Sequence, residues 1–286
     1  MPNKIWTPIG KRNHRPMTGY VQRETSLILD SGTAAGAVNK SADGSYFQVQ
    51  FGEPLQIPEN AVDCQIAVEE AEIWWTIPNI VTGVNDRFYV TDSSVPATYS
   101  LTIPQGLYDL TGLSQAILRE LENAGAATGP ALITLTPDEA TQKVELRLNY
   151  ATVSVDFTQS DTMRTILGFN SAVVGPGTAG ETYLADNVAA FNTINYFLLH
   201  SDITNDGIRT NNDYSQTIAK VPIDVSPGSQ IVYKPFNPAR VEEPNLIGAT
   251  RNSIQIWLTD QDNNRVNTNT EDYSLRLNIR YKMPVT

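Results

Sequence analysis

The segment that decides the fold is NSIQIWLTDQDNNRVNTNTEDYSLRLNIRYK, residues 252–282. Before its polar centre, Ile254, Ile256 and Leu258 alternate with polar or outward residues. After it, Tyr273, Leu275, Leu277, Ile279 and Tyr281 share one face, and Arg276, Asn278 and Arg280 take the other. A period of two sends successive side chains to opposite sides of a strand, so the segment reads as two strands and a loop. The loop, Asp260 to Glu271, has the spacing of a calcium loop: Asp260, Asp262 and Asn264 stand at positions 1, 3 and 5, and Glu271 at position 12. That motif needs flanking helices, Gly at position 6 and an apolar residue at position 8. Here the flanks are strands, and those positions hold Arg265 and Asn267. The reading is a long polar hairpin loop built from Asn, Asp and Thr turn chemistry. Asp260, Asp262, Asn264 and Glu271 are at most a weak cation site, and no cofactor is expected.

The same alternation recurs along the chain. It appears in YFQVQF (Phe47, Val49, Phe51) and in CQIAVEEAEIWWTI, whose inward set is Ile66 and Val68, then Ala71, Ile73 and Trp75. The frame slips by one at Glu69–Glu70, as a β-bulge does. GEPLQIPEN reads as a Pro-punctuated loop, and RFYVTD, TYSLTI, TVSVDF, TINYFLLHSDI, SQTIAKVPIDV and SQIVYKPF as further strands. One clear helix interrupts them: Leu110, Leu113, Ile117 and Leu121 recur at three and four, Thr111 or Asp109 caps the start, and Gly125 stands past the end. ALITLTPDEATQKVELRLNY is a hairpin, TMRTILGF a helical turn ended by Gly168, and residues 175–190 an exposed Gly/Pro/Ala-rich loop. About ten short strands without alternating helices exclude a doubly wound sheet and predict an antiparallel β-sandwich or barrel.

The chain has 286 residues, enough for one large β domain or two small ones. Its net charge of −11 argues against non-specific nucleic-acid binding. The charge is uneven. Residues 1–23 hold Lys4, Lys11, Arg12, Arg15 and Arg23 and no acid, so these five cations leave −16 on the remainder. Pro2, Pro8 and Pro16 keep this arm from forming a long helix. The arm suits contact with a neighbouring subunit, a membrane surface or packaged nucleic acid. Residues 27–45, rich in Gly, Ala, Ser and Asp, read as a linker. No apolar run reaches the length of a membrane span, and the N-terminus lacks the apolar core of a signal peptide.

No catalytic constellation is expected. One cysteine, Cys64, and two histidines, His14 and His200, cannot write a Cys/His zinc site. The lone cysteine fits a reducing compartment. Neighbours His200, Ser201 and Asp202 point to opposite faces of a strand, so they form no triad. Glu69–Glu70 and Glu242–Glu243 read as solvated acids. Trp74 and Trp75 are adjacent, so one faces the core while the other faces outward; Trp257 is the outward member of IQIWL and a candidate interface anchor.

The order of motifs carries a resemblance. AEIWWTIPNIVTGVNDRFYV, LTIPQGLYDLTGLSQAILREL, TMRTILGF, NTINYFLLHSDI, VPIDVSPGSQIVYKP and the opening segment follow one another over about residues 64–284. This series resembles the jelly-roll capsid proteins of polinton-like viruses and virophages, in the lineage of tailless phages and adenovirus. The resemblance implies an all-β, antiparallel jelly-roll sandwich over residues 46–286, with a small helix-plus-hairpin excursion at 105–170 and an extended basic arm and linker over 1–45. It implies a non-enzymatic structural virion protein of an icosahedral capsid, as vertex (penton) or another jelly-roll capsid protein. Expected partners are copies of itself, as a pentamer before a trimer, and neighbouring capsid proteins. The arm would reach an adjacent subunit, an internal membrane or the genome, with no sequence-specific nucleic-acid binding. Assembly would take place in host cytoplasm or nucleus. The alternative is a spike- or fibre-type module binding a receptor or carbohydrate through Trp257 or Trp74. A β-sandwich hydrolase would need two converging carboxylates, and the sequence nominates no pair.

Overall fold

The computed structural model describes residues 19–95, 97–126, 131–192, 194–209 and 215–285. In chain order the strands are β1 (Tyr20–Asp30), β2 (Ala37–Val38), β3 (Tyr46–Gln56), β4 (Val62–Trp74), β5 (Arg87–Asp92), β6 (Ala97–Thr102), β7 (Ile133–Asp138), β8 (Lys143–Leu148), β9 (Val153–Asp156), β10 (Val173–Val174), β11 (Glu181–Leu184), β12 (Tyr196–Ser201), β13 (Thr217–Pro222), β14 (Gln230–Tyr233), β15 (Val241–Glu242), β16 (Thr250–Thr259) and β17 (Ser274–Pro284). The helices are α1 (Leu110–Asn123) and α2 (Arg164–Leu167).

Eight of these strands make two facing sheets, β1-β17-β4-β14 and β13-β12-β16-β3, with β15 and β2 added at the margins. Their pairing is nested: β1 with β17, β3 with β16, β4 with β14 and β12 with β13, all antiparallel. A chain folded back on itself in this way, outermost strands paired first, is a jelly roll. The inward members of each strand fill the space between the sheets. Phe47, Ile66, Ile73, Phe197, Leu258, Leu277 and Ile279 are all buried there. Tyr273 packs edge-on against Phe47 at 5.2 Å and donates its hydroxyl to Ser45 O at 2.9 Å, which satisfies the one polar atom it brings inside.

The frame slip in β4 is a bulge. Arg276 pairs with Glu70 and Leu277 with Val68, so Glu69 is the extra residue. Val68 and Ala71 therefore both face the core, and Trp75 is buried while Trp74 faces out. The expected loop over GEPLQIPEN is instead largely the end of β3. Arg251 pairs with Leu55 and Ser253 with Gln50, and Pro54 sits in the bulge between them, where no ladder N–H is needed.

Residues 27–45, expected as a linker within an arm over 1–45, contain more structure than that. Tyr20–Asp30 pairs over its whole length with β17, followed by a 3-10 turn at Thr33–Ala35 and by β2. Leu29 is buried, whereas Val21 and Arg23 on the same face are exposed, because that end of the strand pair runs beyond the core. This partial burial is what hid the strand in the sequence.

Everything between β4 and β12 is an insertion with its own interior. One sheet runs β10-β9-β5-β6 and another β11-β8-β7, and α1 packs beside β6 and β7. Its buried residues run from Ile80 to Ala185, a wider span than the 105–170 expected for the excursion. Phe157 lies at its centre, edge-on to Phe88 at 5.8 Å and stacked on Phe169 at 4.8 Å. Full burial of each such side chain contributes about 1.5–3 kcal/mol, so this core is a substantial source of stability by itself. Helix α1 starts at Asp109, whose carboxylate accepts from Gly112 N at 2.6 Å, and it buries Leu113, Ala116, Ile117 and Leu121. Helix α2 ends at Gly168 with φ 84°, where a Cβ would stand 2.3 Å from Asn187 O. The loop expected at 175–190 carries β11, paired with β8.

Candidate functional site

The surface of the second sheet carries the aromatic residues. The register aligns His200, Trp257 and Tyr46 across β12, β16 and β3. The His200 ring lies parallel to Trp257, with centroids 5.4 Å apart. Arg265, from the loop of the opening segment, lays its guanidinium over Trp257 at 5.1 Å and over Tyr46 at 5.8 Å. Trp257 is therefore outward, as the alternation requires, but it is half-buried and one face is covered by a cation. Beside it an open polar cleft of about 270 Å3 is lined by His200, Asn205, Ser215, Gln216, Trp257 and Asn263. His200 is itself buried, with Nε2 2.8 Å from Thr259 Oγ1 and Nδ1 3.2 Å from Thr217 Oγ1. Burial, and then the charge of Arg265, lower its pKa to about 4, so the ring is neutral at pH 7.

The loop residues singled out for a cation serve the loop. Asp260 accepts from Asp262 N (2.9 Å), Asn264 N (2.8 Å) and Asn264 Nδ2 (3.2 Å). Asn263 takes a left-handed φ of 64°, and the antiparallel bridge Thr259–Arg265 closes the turn that presents Arg265. Thr268 is buried, its N–H donates to Asp43 O at 2.8 Å, and its carbonyl accepts from Glu271 N at 3.1 Å. Asp262, Asn264 and Glu271 are exposed, and among the described residues no group of three His, Cys, Asp or Glu side chains is placed to hold a metal.

The other reactive side chains are dispersed. Cys64 faces the interior from β4, and burial, then Glu243, push its thiol up to about 11. His200 lies on the outward side of the other sheet, so the two form no pair. Asp202 accepts from Gln255 N at 2.8 Å, and Glu243 is buried against the Thr204 hydroxyl while Glu242 is exposed. Glu70 is bracketed by Lys234 (3.4 Å) and Arg276 (3.5 Å).

The first sheet presents a different surface. Its outer face carries ion pairs, Glu24–Arg280 and Asp63–Lys282, both at 2.7 Å. It also exposes large apolar side chains: Ile28, Trp74 and Val232, with Phe236 just beyond β14. Single exposed apolar residues are ordinary, and here Arg276, Glu70 and Glu72 stand between Ile28 and Val232, so together they make this face a candidate contact surface. Arg23 is exposed on β1, while Lys4, Lys11, Arg12 and Arg15 lie outside the described residues. Sequence reasoning nominated Trp257 and missed Arg265, Ile28, Val232 and Phe236. KPFNP, a Phe held between prolines, was the available signal.

No protein-family model matches the sequence, and no curated protein does. The chain is similar in fold to the mavirus penton protein. That likeness covers 93% of this chain and 100% of that one, at 11% identity and a TM-score of 0.44. A chain of the Sputnik virophage structure is also similar, over 89% of this chain and 97% of that one, at 15% identity and a TM-score of 0.40.

Proposed function

We propose that the chain is a structural subunit of an icosahedral capsid, most simply the vertex protein, and that it acts by assembling rather than by catalysis. The observation that carries this reading is the set of large apolar side chains on the outer face of the first sheet, Ile28, Trp74, Val232 and Phe236. Among the described residues, the reactive side chains singled out from the sequence are engaged within the fold. His200 is locked between two threonines, Cys64 is buried, and Asp260 is saturated by its own loop. A jelly roll presents its sheet surfaces and edges to neighbours, and closed symmetry multiplies one modest contact.

A sugar-binding role through Trp257 is not favoured, because Arg265 covers the ring face on which a sugar would stack. The reading places the protein in the virion, assembled in host cytoplasm or nucleus, against copies of itself and other capsid proteins. The basic arm would lie against an acidic neighbouring subunit, an internal membrane or the genome. Mass photometry of the purified full chain tests this. A pentamer is the expected species and a trimer moves the role to another capsomer. A chain that stays monomeric at every accessible concentration overturns it.

A further inference from the structure

The strands that end the described sheets differ in how open they are to another strand. They are β1 and β14, β13 and β2, β10 and β6, and β11 and β7. All but β1 have six residues or fewer. β7 and β13 also carry Pro137 and Pro222, and β14 runs into Pro235. Short strands and prolines close a sheet edge to further pairing. β1 has neither protection. It spans 11 residues, Tyr20–Asp30, without proline or glycine, and among the described residues its ladder runs to β17 alone. Its other side is a row of main-chain N–H and C=O groups, so the occupant it fits is an extended strand.

The side chains of β1 indicate which strand. Tyr20, Val21 and Ile28 are exposed large apolar residues, Ile28 at 74%. Val21 is exposed because its half of β1 overhangs the core, whereas Leu29 in the other half is buried. A second β1 can lie antiparallel to the first about a two-fold axis through Thr25, normal to the sheet. Such an axis keeps both inward faces on one side. It sets Val21 opposite the partner's Leu29, Gln22 opposite the partner's Ile28 and Arg23 opposite the partner's Leu27. The overhanging half of each strand then lies beside the half that covers the other copy's core. On the outer face, Ile28 stands diagonal to the partner's Tyr20, within reach of an aromatic ring. All three exposed apolar side chains thus gain apolar neighbours, twice per contact. The register is selective. An axis at Glu24 sets two carboxylates face to face, and an axis at Ser26 leaves Tyr20 and Val21 past the end of the partner strand.

We propose that β1 pairs antiparallel with β1 of a second copy of this chain, about a two-fold axis at Thr25, joining two first sheets into one. Strands of this length share about ten main-chain hydrogen bonds, the number an ordinary interface contains. The contact is isologous, so it does not close a five-membered ring by itself. It joins subunits of neighbouring rings and leaves the contact within a ring to other surfaces. In this it goes beyond the proposed function, which names no pairing between copies.

The test uses the full chain carrying Gln22→Cys and Ile28→Cys together. Both side chains are exposed, and they lie about 20 Å apart along one strand, too far to bridge within a chain. Across the proposed axis each stands opposite the other, so mild oxidation should give a dimer linked by two disulfides. Either single variant should stay unlinked, because like positions are also about 20 Å apart across the axis. Cys64 is buried and does not compete. Separately, Ile28→Glu brings a carboxylate beside the partner's Glu24 twice per contact. It should weaken two-fold association roughly 30-fold, the scale of a hot-spot loss, and leave the circular dichroism spectrum unchanged. Linkage in a single variant means another register and overturns the inference. So does Ile28→Glu association within threefold of the parent. A double variant that stays unlinked also overturns it, and that is the outcome if β1 takes a strand of another protein. Linkage is read on denatured chains, so it reports this contact whatever ring the chain forms. Unlinked chains that still form rings overturn the contact and leave the proposed function standing.

Discussion

His200 is a base that the fold keeps neutral. Its ring nitrogens meet Thr259 and Thr217, its face meets Trp257, and Arg265 supplies a nearby positive charge. The unfolded chain binds a proton near pH 6.5, while the folded chain resists until about pH 4. Below pH 6.5 the unfolded state therefore holds more protons, and stability falls as the pH drops toward 4. At 1.36 kcal/mol per pKa unit the loss attributable to His200 between pH 7 and pH 5 is about 2 kcal/mol. Urea titrations of the parent and of His200→Gln at both pH values should show a loss smaller by that amount in the variant. Equal losses would mean that the ring titrates normally. Asn79 is the other residue with an outsized role. Its amide donates to Tyr108 O (2.7 Å) and Phe191 O (3.1 Å) and accepts from Tyr108 N (2.9 Å), and its own carbonyl accepts from Asn85 Nδ2 (2.8 Å). One buried side chain thus joins the start of the insertion, the lead into α1 and the end of the insertion. Asn79→Ala strands the Tyr108 and Phe191 backbone groups and should cost about 1–3 kcal/mol by denaturant titration. An unchanged midpoint would mean that the neck is held by other contacts.

Among the elements, α1 shows how local signals become structure. Its apolar spacing names the buried face, and Asp109 satisfies one of the first-turn N–H groups that a helix leaves unpaired. Asp109→Ala should destabilise the chain by about 1 kcal/mol, while Asp109→Ser should recover most of the loss, both read from urea midpoints. Equal behaviour of the two variants would argue against capping. The strands divide by what they pack against. β4, β16 and β17 are legible because one face of each is fully inside, and even the bulge at Glu69 registers as a slipped alternation. β1 is not, because the inward face of its first half, Val21 and Arg23, lies beyond the core and is free to be charged. The short β10 and β11 are set by pairing with β9 and β8, and pairing partners leave no periodic mark in the sequence. The candidate contact surface was hidden for a related reason: Ile28 falls in the segment that reads as a linker and Val232 reads as an ordinary strand residue, and only the register assigns both to the solvent face.

At the scale of the whole molecule, two hydrophobic interiors share one chain. Periodicity tells which face of a strand is buried but not against which partner, so the jelly-roll core and the insertion core are indistinguishable in the sequence. In space they separate: Phe47, Ile66 and Leu277 belong to one, Phe88, Ile117 and Phe157 to the other. Where the chain passes from one to the other, a small recess is lined by Trp75, Ile77, Asn79, Leu107, Phe191, Asn192 and Ile194. There the chain leaves and returns within one hydrogen bond, Asn79 Nδ2 to Phe191 O at 3.1 Å. A linker of a few glycines and serines therefore spans the gap if residues 80–190 are removed, and closing so short a loop costs little entropy. The excised chain should keep a strand-rich circular dichroism spectrum without the α1 signal and melt in a single cooperative transition. It should lose on the order of 2–3 kcal/mol, mainly because Leu107 no longer covers the end of the jelly-roll core. Loss of any cooperative transition would mean that the insertion completes the jelly-roll core rather than standing beside it.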